Sequence, residues 1–171
     1  PGVRLISSDS DSVYKVAAAL LYSYTDKGLA ELTSYCKRLP EEELGRILDA
    51  AVNARDNRRQ KSPRALEHAN FTFEILADFG SYRDLHRHRI ATQERELLSC
   101  DYGYYMPPEL EECGIAFEYR DALDVAKQAF DRIAAELPEE AQYIVPMAYN
   151  VRWYFSMNLR SLQWMCELRS A

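Results

Sequence analysis

The sequence predicts an α+β fold, with helices packed on a mostly antiparallel sheet. Two runs, "NFTFEILA" at 70–77 and "VRWYFSMN" at 151–158, alternate apolar and polar residues at the period of a strand. Other stretches carry apolar residues at helical spacing, the longest from Tyr119 to Leu137. No internal repeat or low-complexity linker divides the 171 residues. The chain is therefore read as a single domain over 1–171, with a shortened C-terminus or a place as one half of a tandem chain left open.

In chain order, Val3 to Ile6 is a short apolar run suited to an edge strand. The "SSDSDS" that follows supplies side-chain oxygens to cap a helix from about Ser12, whose apolar face is Val13, Val16, Ala17, Leu20, Leu21 and Tyr24. After Gly28, the spacing of Leu29, Leu32 and Cys36 predicts a second short helix. Pro40 opens a third, with Leu44, Ile47, Leu48 and Ala51 as its buried stripe. "RDNRRQKSPR" at 55–64 is basic but has no aromatic to stack bases, so it reads as a solvated helix end and loop. In the first strand Phe71, Phe73, Ile75 and Ala77 face the core, and Thr72 and Glu74 face away. In the second, Val151, Trp153, Phe155 and Met157 share one face. Between the strands, Tyr119, Leu123, Ala126, Phe130, Ile133 and Leu137 mark a long helix ending before Pro138, and "NLRSLQWMCELR" closes the chain as a helix.

Composition narrows the function classes. With 21 basic against 27 acidic side chains, net charge −6, general affinity for nucleic acid or an anionic membrane is disfavoured, and any anion site must be local. Cys36, Cys100, Cys113 and Cys166 include no CxxC pair, so they read as reduced thiols. No apolar run approaches a membrane span, and no charged start leads into a hydrophobic stretch, so the expectation is a cytoplasmic protein.

Chemistry concentrates near the middle. His86 and His88, two apart, would share one side of an extended segment, with His68 as a third ligand from elsewhere, but no HExxH pair supports a metal. GxSxG, P-loop and GxGxxG motifs are absent. In an extended backbone Arg87 and Arg89 would project together as two planar forks for a phosphate or pyrophosphate, with His88 pointing away. Taken alone the tripeptide reads as a surface cation cluster paired with Asp84, Glu94 and Glu96.

Four ordered segments change that weighting. "LEHANFTFEI", then "RHR" nineteen residues after His68, then "IVP", then "NLRSLQWMCELR" resemble the flavin-dependent thymidylate synthases, and the opening VRLI and the helix ending Leu20-Leu21-Tyr22-Ser23 match that family's start. The resemblance implies methylation of dUMP to dTMP, with methylenetetrahydrofolate as carbon donor and NADPH reducing a bound FAD. It implies sites shared between the subunits of a homotetramer. By the match, Arg87, His88, Arg89 and Asn158 would contact the flavin, His68 and Thr72 would lie near it, and Arg169 would reach the nucleotide. Asn158 and Arg169 are eleven residues apart, about three helical turns, a spacing that turns both towards one cleft.

The resemblance breaks in the nucleotide loop. The family continues R-H-R-x-x-S-x-N-E-x-S-x-R-Y, whereas this chain has RHRIATQERELLSC. Thr92 is a mild change, but Glu94, Arg95, Leu97, Ser99 and Cys100 replace asparagine, glutamate, serine, arginine and tyrosine. Gln142 replaces an arginine, Asp84 a flavin-facing glutamine, and Trp164 an asparagine of some members. A lost hydroxyl and a lost guanidinium remove phosphate donors, and added carboxylates repel an anion, so dUMP binding is opposed. Three readings stay open: a divergent or duplicated member completed by another copy, a protein that binds flavin or another nucleotide for other chemistry, and a ligand-free scaffold that supports oligomer assembly.

Overall fold

In the computed structural model, which describes residues 1–170, the chain runs β1 (Gly2–Ser8), α1 (Ser12–Leu21), α2 (Leu29–Cys36), α3 (Glu41–Asn53), β2 (Asn70–Asp78), α4 (Phe79–Leu85), β3 (Thr92–Arg95), α5 (Glu109–Glu112), α6 (Ala116–Ala134), β4 (Asn150–Asn158) and α7 (Leu159–Arg169). Single 3-10 turns sit at Tyr22–Tyr24, Arg64–His68 and Glu140–Ile144. The strands form one antiparallel sheet in the order β1-β2-β4-β3, so the α+β expectation holds.

The central pair is pinned at both ends. Leu159 N–H donates to the Ala69 carbonyl at 2.8 Å, and Phe79 N–H to the Tyr149 carbonyl at 2.9 Å. Between them the Thr72 hydroxyl donates to Ser156 Oγ at 3.0 Å, a polar cross-strand pair on the face away from the core. The alternation in β4 is kept: Val151, Trp153, Phe155 and Met157 are all buried. Burial of each aliphatic or phenyl side chain of this kind stabilises by roughly 1.5–3 kcal/mol. In β2 no residue is fully buried, so the apolar set at Phe71 to Ala77 covers the core without being sealed by it.

Two compact units emerge from the contacts. One comprises Pro1–Arg4, Glu74–Arg89 and Gln93–Phe155; the other comprises Leu5–Phe73, Ile90–Thr92 and the chain from Ser156 on. The first is aromatic. Tyr82 meets the edge of Trp153 at 5.4 Å, Tyr104 meets Tyr149 at 5.6 Å, and the buried Tyr149 hydroxyl donates to the Leu123 carbonyl at 2.8 Å, tying α6 to the start of β4. The second packs Ala17, Ala18, Leu32, Cys36 and Leu44 from α1, α2 and α3 into one buried cluster. Cys36 and Cys100 are buried, and Cys113 and Cys166 are exposed.

Several expected stripes are shorter than their periodicity. α1 tightens into a 3-10 turn after Leu21, which turns Tyr24 out to 87 % exposure instead of into the core. Leu137 is 53 % exposed because α6 ends at Ala134, three residues before it. All of β1 is exposed, as suits a strand at the sheet edge. Among the described residues no helix is long and apolar enough to cross a membrane.

Candidate functional site

Two strand-to-helix corners carry the candidate residues. β2 runs directly into α4, and β4 directly into α7, with no loop between. At each corner the last strand residue caps the helix. Asp78 Oδ1 accepts from Ser81 N–H at 2.8 Å, and Asn158 Oδ1 accepts from Ser161 N–H at 2.9 Å. The Asp78 carboxylate is further occupied, because its Oδ2 accepts the Ser81 hydroxyl at 2.6 Å. The carboxamide of Asn158 keeps an NH2 group as a hydrogen-bond donor while its oxygen caps.

The Arg87-His88-Arg89 triplet lies at the far end of α4, in the first unit, and its conformation differs from the extended one expected. His86 closes the helix in the αR region, its ring tilted against that of Tyr82 at 5.3 Å between centroids. Arg87 N–H then bonds the Asp84 carbonyl at 3.3 Å, and His88 N–H the Leu85 carbonyl at 3.0 Å, so the triplet unwinds from a helix end. The same-side argument therefore fails for Arg87 with Arg89 and for His86 with His88: the C-terminal carbonyls of α4 draw in these N–H groups before the chain can extend. The Arg87 side chain is 74 % exposed and meets Asp84 at 3.8 Å. Arg89 is exposed and His88 is half-buried.

His88 is also anchored from β3. Gln93 Nε2 donates to the His88 carbonyl at 3.0 Å, and Gln93 Oε1 is buried with no hydrogen-bond partner. A buried acceptor left unpaired costs free energy until a donor reaches it. Sequence reasoning missed Gln93, since nothing in "RHRIATQER" marks one amide as buried.

The remaining candidates belong to the second unit. His68 ends a 3-10 turn and is exposed, Thr72 is half-buried and bonded to Ser156, and Asn158 is half-buried at its cap. Arg169 is the last residue of α7 and is exposed, roughly 16 Å along the helix from Asn158. The corner and the helix end thus bracket α7 rather than meet.

A further arginine escaped attention. Arg160 donates through Nε to the Ser62 carbonyl at 3.1 Å and through Nη1 to Glu67 Oε1 at 2.7 Å, joining the start of α7 to the segment before β2. The Arg160 hydrogen bond, with a second from Arg64, holds the Glu67 carboxyl below its ordinary range. The signal was present in "NLRS" and "LEH", whose arginine and glutamate are neighbours of Asn158 and His68.

The altered loop is occupied by its own side chains. Gln142 Oε1 accepts from Arg95 Nη1 at 3.2 Å and from Leu98 N–H at 3.0 Å, and Gln142 Nε2 donates to the Glu139 carbonyl at 3.0 Å. Arg95 also donates to the Glu96 carbonyl at 2.7 Å and lies over the Phe79 ring. Glu96 accepts from Arg152 at 3.2 Å and from the Tyr102 hydroxyl at 2.7 Å, and the latter bond pushes the Tyr102 phenol up. Among the described residues no group of three His, Cys, Asp or Glu side chains is placed to hold a metal.

The exposed guanidinium groups of the triplet are of a type that fits an anionic cofactor. Comparison with known proteins identifies the family. The family described as thymidylate synthase complementing protein matches residues 4–171. A UPF0159 protein of Chlamydia pneumoniae is 54 % identical over 170 residues, covering 99 % of this chain and 32 % of its own length. A UPF0159 protein of Thermoplasma acidophilum is 33 % identical over 175 residues, covering 98 % and 34 %. A flavin-dependent thymidylate synthase of Clostridium tetani is 27 % identical over 184 residues, covering 94 % of this chain and 70 % of its own. The chain spans about a third of the length of the UPF0159 relatives. With the α+β sheet and a match from Arg4 to the last residue, the chain belongs to the thymidylate synthase complementing protein family.

Proposed function

We propose that this chain is the flavin-holding part of a flavin-dependent thymidylate-synthase-like protein and that its own dUMP loop has been converted to structural use. The flavin, when bound and reduced by NADPH, would supply the hydride and one-carbon chemistry between methylenetetrahydrofolate and dUMP. Arg87 and Arg89 would neutralise the pyrophosphate of FAD, with His88 held for it by Gln93. Asn158 would donate its amide N–H while capping α7, and His68 and Thr72 would lie near the flavin. Arg169 would reach a nucleotide phosphate if one enters.

The observation that carries this reading is the Gln142–Arg95–Leu98 network. Where the family keeps an arginine for the nucleotide, a neutral amide spends its oxygen on a loop arginine and a backbone N–H. Cationic donors aimed at a phosphate are thereby exchanged for internal bonds. Synthase activity would then need a second, differing copy with an intact loop in the same longer polypeptide, assembled as a homo-oligomer such as a tetramer. The coverage of the UPF0159 relatives leaves room for such a copy.

The test is twofold. The purified chain, mixed with FAD and desalted, should retain the visible absorption of oxidised flavin, and calorimetry with dUMP should show no saturable heat. A colourless protein after desalting leaves the ligand-free scaffold as the reading. Tight dUMP binding would instead make this chain a synthase in its own right.

A further inference from the structure

The second unit contains a pocket of about 500 Å³ that none of these roles uses. Its walls are apolar and come from α1, α3, β2 and α7, including Val16, Leu20, Leu48, Val52, Phe71 and Leu159. That volume lies within the usual range for small-molecule pockets, roughly 300–1,000 Å³, and apolar walls with a few polar groups at the mouth are their ordinary composition. The pocket is separate from the candidate flavin residues on β2. Phe71 lines it, Thr72 is the next residue along the strand, and successive strand side chains point to opposite faces.

The mouth shows what head group would be accepted. Arg55 lines it with four of its five donors engaged: its guanidinium pairs with Glu167, donates to the Gln60 carbonyl at 2.6 Å and to the Arg58 carbonyl at 3.0 Å. Asp56 accepts from Gln60 Nε2 at 3.2 Å, and Ser62 donates to Gln163, which in turn donates to Glu167. These groups are satisfied by one another and form a fixed rim. Arg58 differs. It is exposed, and it reaches the Glu167 carbonyl at 3.5 Å, a long contact for a group with five donors.

We propose that this pocket binds a small anionic amphiphile, with an apolar ring or medium-length acyl body inside and a single carboxylate or sulfonate against Arg58. The apolar body replaces water against the walls, and the head group takes the donors that the rim leaves unused. The site requires no flavin and stands apart from the role proposed above.

The experiment titrates the chain with 1-anilinonaphthalene-8-sulfonate, followed by fluorescence, and competes the dye with decanoate. Saturable one-to-one binding displaced by decanoate is expected. Val52→Trp fills the pocket from a position already 63 % exposed, and should weaken the dye by about tenfold or more. Arg58→Ala should weaken it about threefold to tenfold. Unchanged far-ultraviolet circular dichroism with a cooperative thermal transition establishes that each variant is folded, and Ala51→Leu on the same wall replaces Val52→Trp should that variant not fold. The proposal is overturned by non-saturable binding, by wall variants that bind the dye as the unaltered chain does, or by an Arg58→Ala variant of full affinity. Displacement by FAD at micromolar concentration would also overturn it, since the pocket would then belong to the flavin.

Discussion

The corners at Asp78 and Asn158 are built alike and equipped differently. Each ends a nine-residue strand, each caps a helix through a side-chain oxygen, and each cap bonds a serine three residues on. Asp78 is an acceptor only, and both its oxygens are taken by Ser81. Asn158 performs the same cap with half of its amide. The two caps therefore leave different groups over for any other partner, and the difference is one atom type. The helices launched from the corners also end alike, α4 in the Arg87 to Arg89 turn and α7 at Arg169.

The largest effect should come from the helix end that follows the Asp78 corner. Replacing Arg87 and Arg89 together with alanine would remove the two charge-assisted contacts proposed above, and FAD affinity measured by fluorescence quenching should fall about a hundredfold. Thermal stability should stay within about 0.5 kcal/mol, because exposed ion pairs of this kind contribute little. An unchanged FAD affinity would remove the triplet from the site.

Asn158→Asp sharpens the comparison, since it makes the second corner a copy of the first. The cap persists, so the melting temperature should hold, whereas the lost donor and added charge should lower FAD affinity about tenfold. Equal affinity would show that the amide does nothing beyond capping.

Alanine at each corner separates cap from ligand. Asp78→Ala gives up two bonds and should cost about 1–2 kcal/mol by urea denaturation, and Asn158→Ala about 1 kcal/mol. Of the two, Asn158→Ala alone should also weaken flavin. A larger loss of flavin in Asp78→Ala would reverse the assignment of roles.

The smallest effect is on pH dependence and concerns the α7 side. The Arg55 bond to Glu167 and the Arg160 bond to Glu67 hold these two carboxyls below their ordinary value of 4.5. Folded-state values below the unfolded ones mean that the stabilisation is complete above about pH 4.5 and is lost as pH falls through the folded values. Melting temperature should therefore decline on acidification below that point, and Glu167→Gln should flatten part of the decline. A variant with the full acid dependence would assign it to other carboxyls.

How much of this was legible in the sequence varies with the kind of signal. The β4 alternation identified its buried face because Trp153 and Phe155 leave no second arrangement for the sheet. α4 was overlooked because its seven residues contribute only Tyr82 to the core, too few to mark a period, although Asp78 followed by Ser81 is a cap signature. The conformation of the R-H-R triplet depended on that missed helix. The loss of the family's loop residues could be read directly, but the Gln142 network could not, since it joins residues more than forty apart along the chain. The basic stretch from Arg55 also proved more structural than its composition suggests. Its first arginine is only 14 % exposed and ties the loop to α7.

The unequal burial of the four thiols has a practical consequence. Desolvation raises Cys36 and Cys100 away from the reactive thiolate form, whereas Cys113 and Cys166 face solvent. A maleimide added to the native chain should thus take up two equivalents, and the denatured chain four. A fluorophore on Cys166, one turn before Arg169, would report directly on whatever docks beside the final helix.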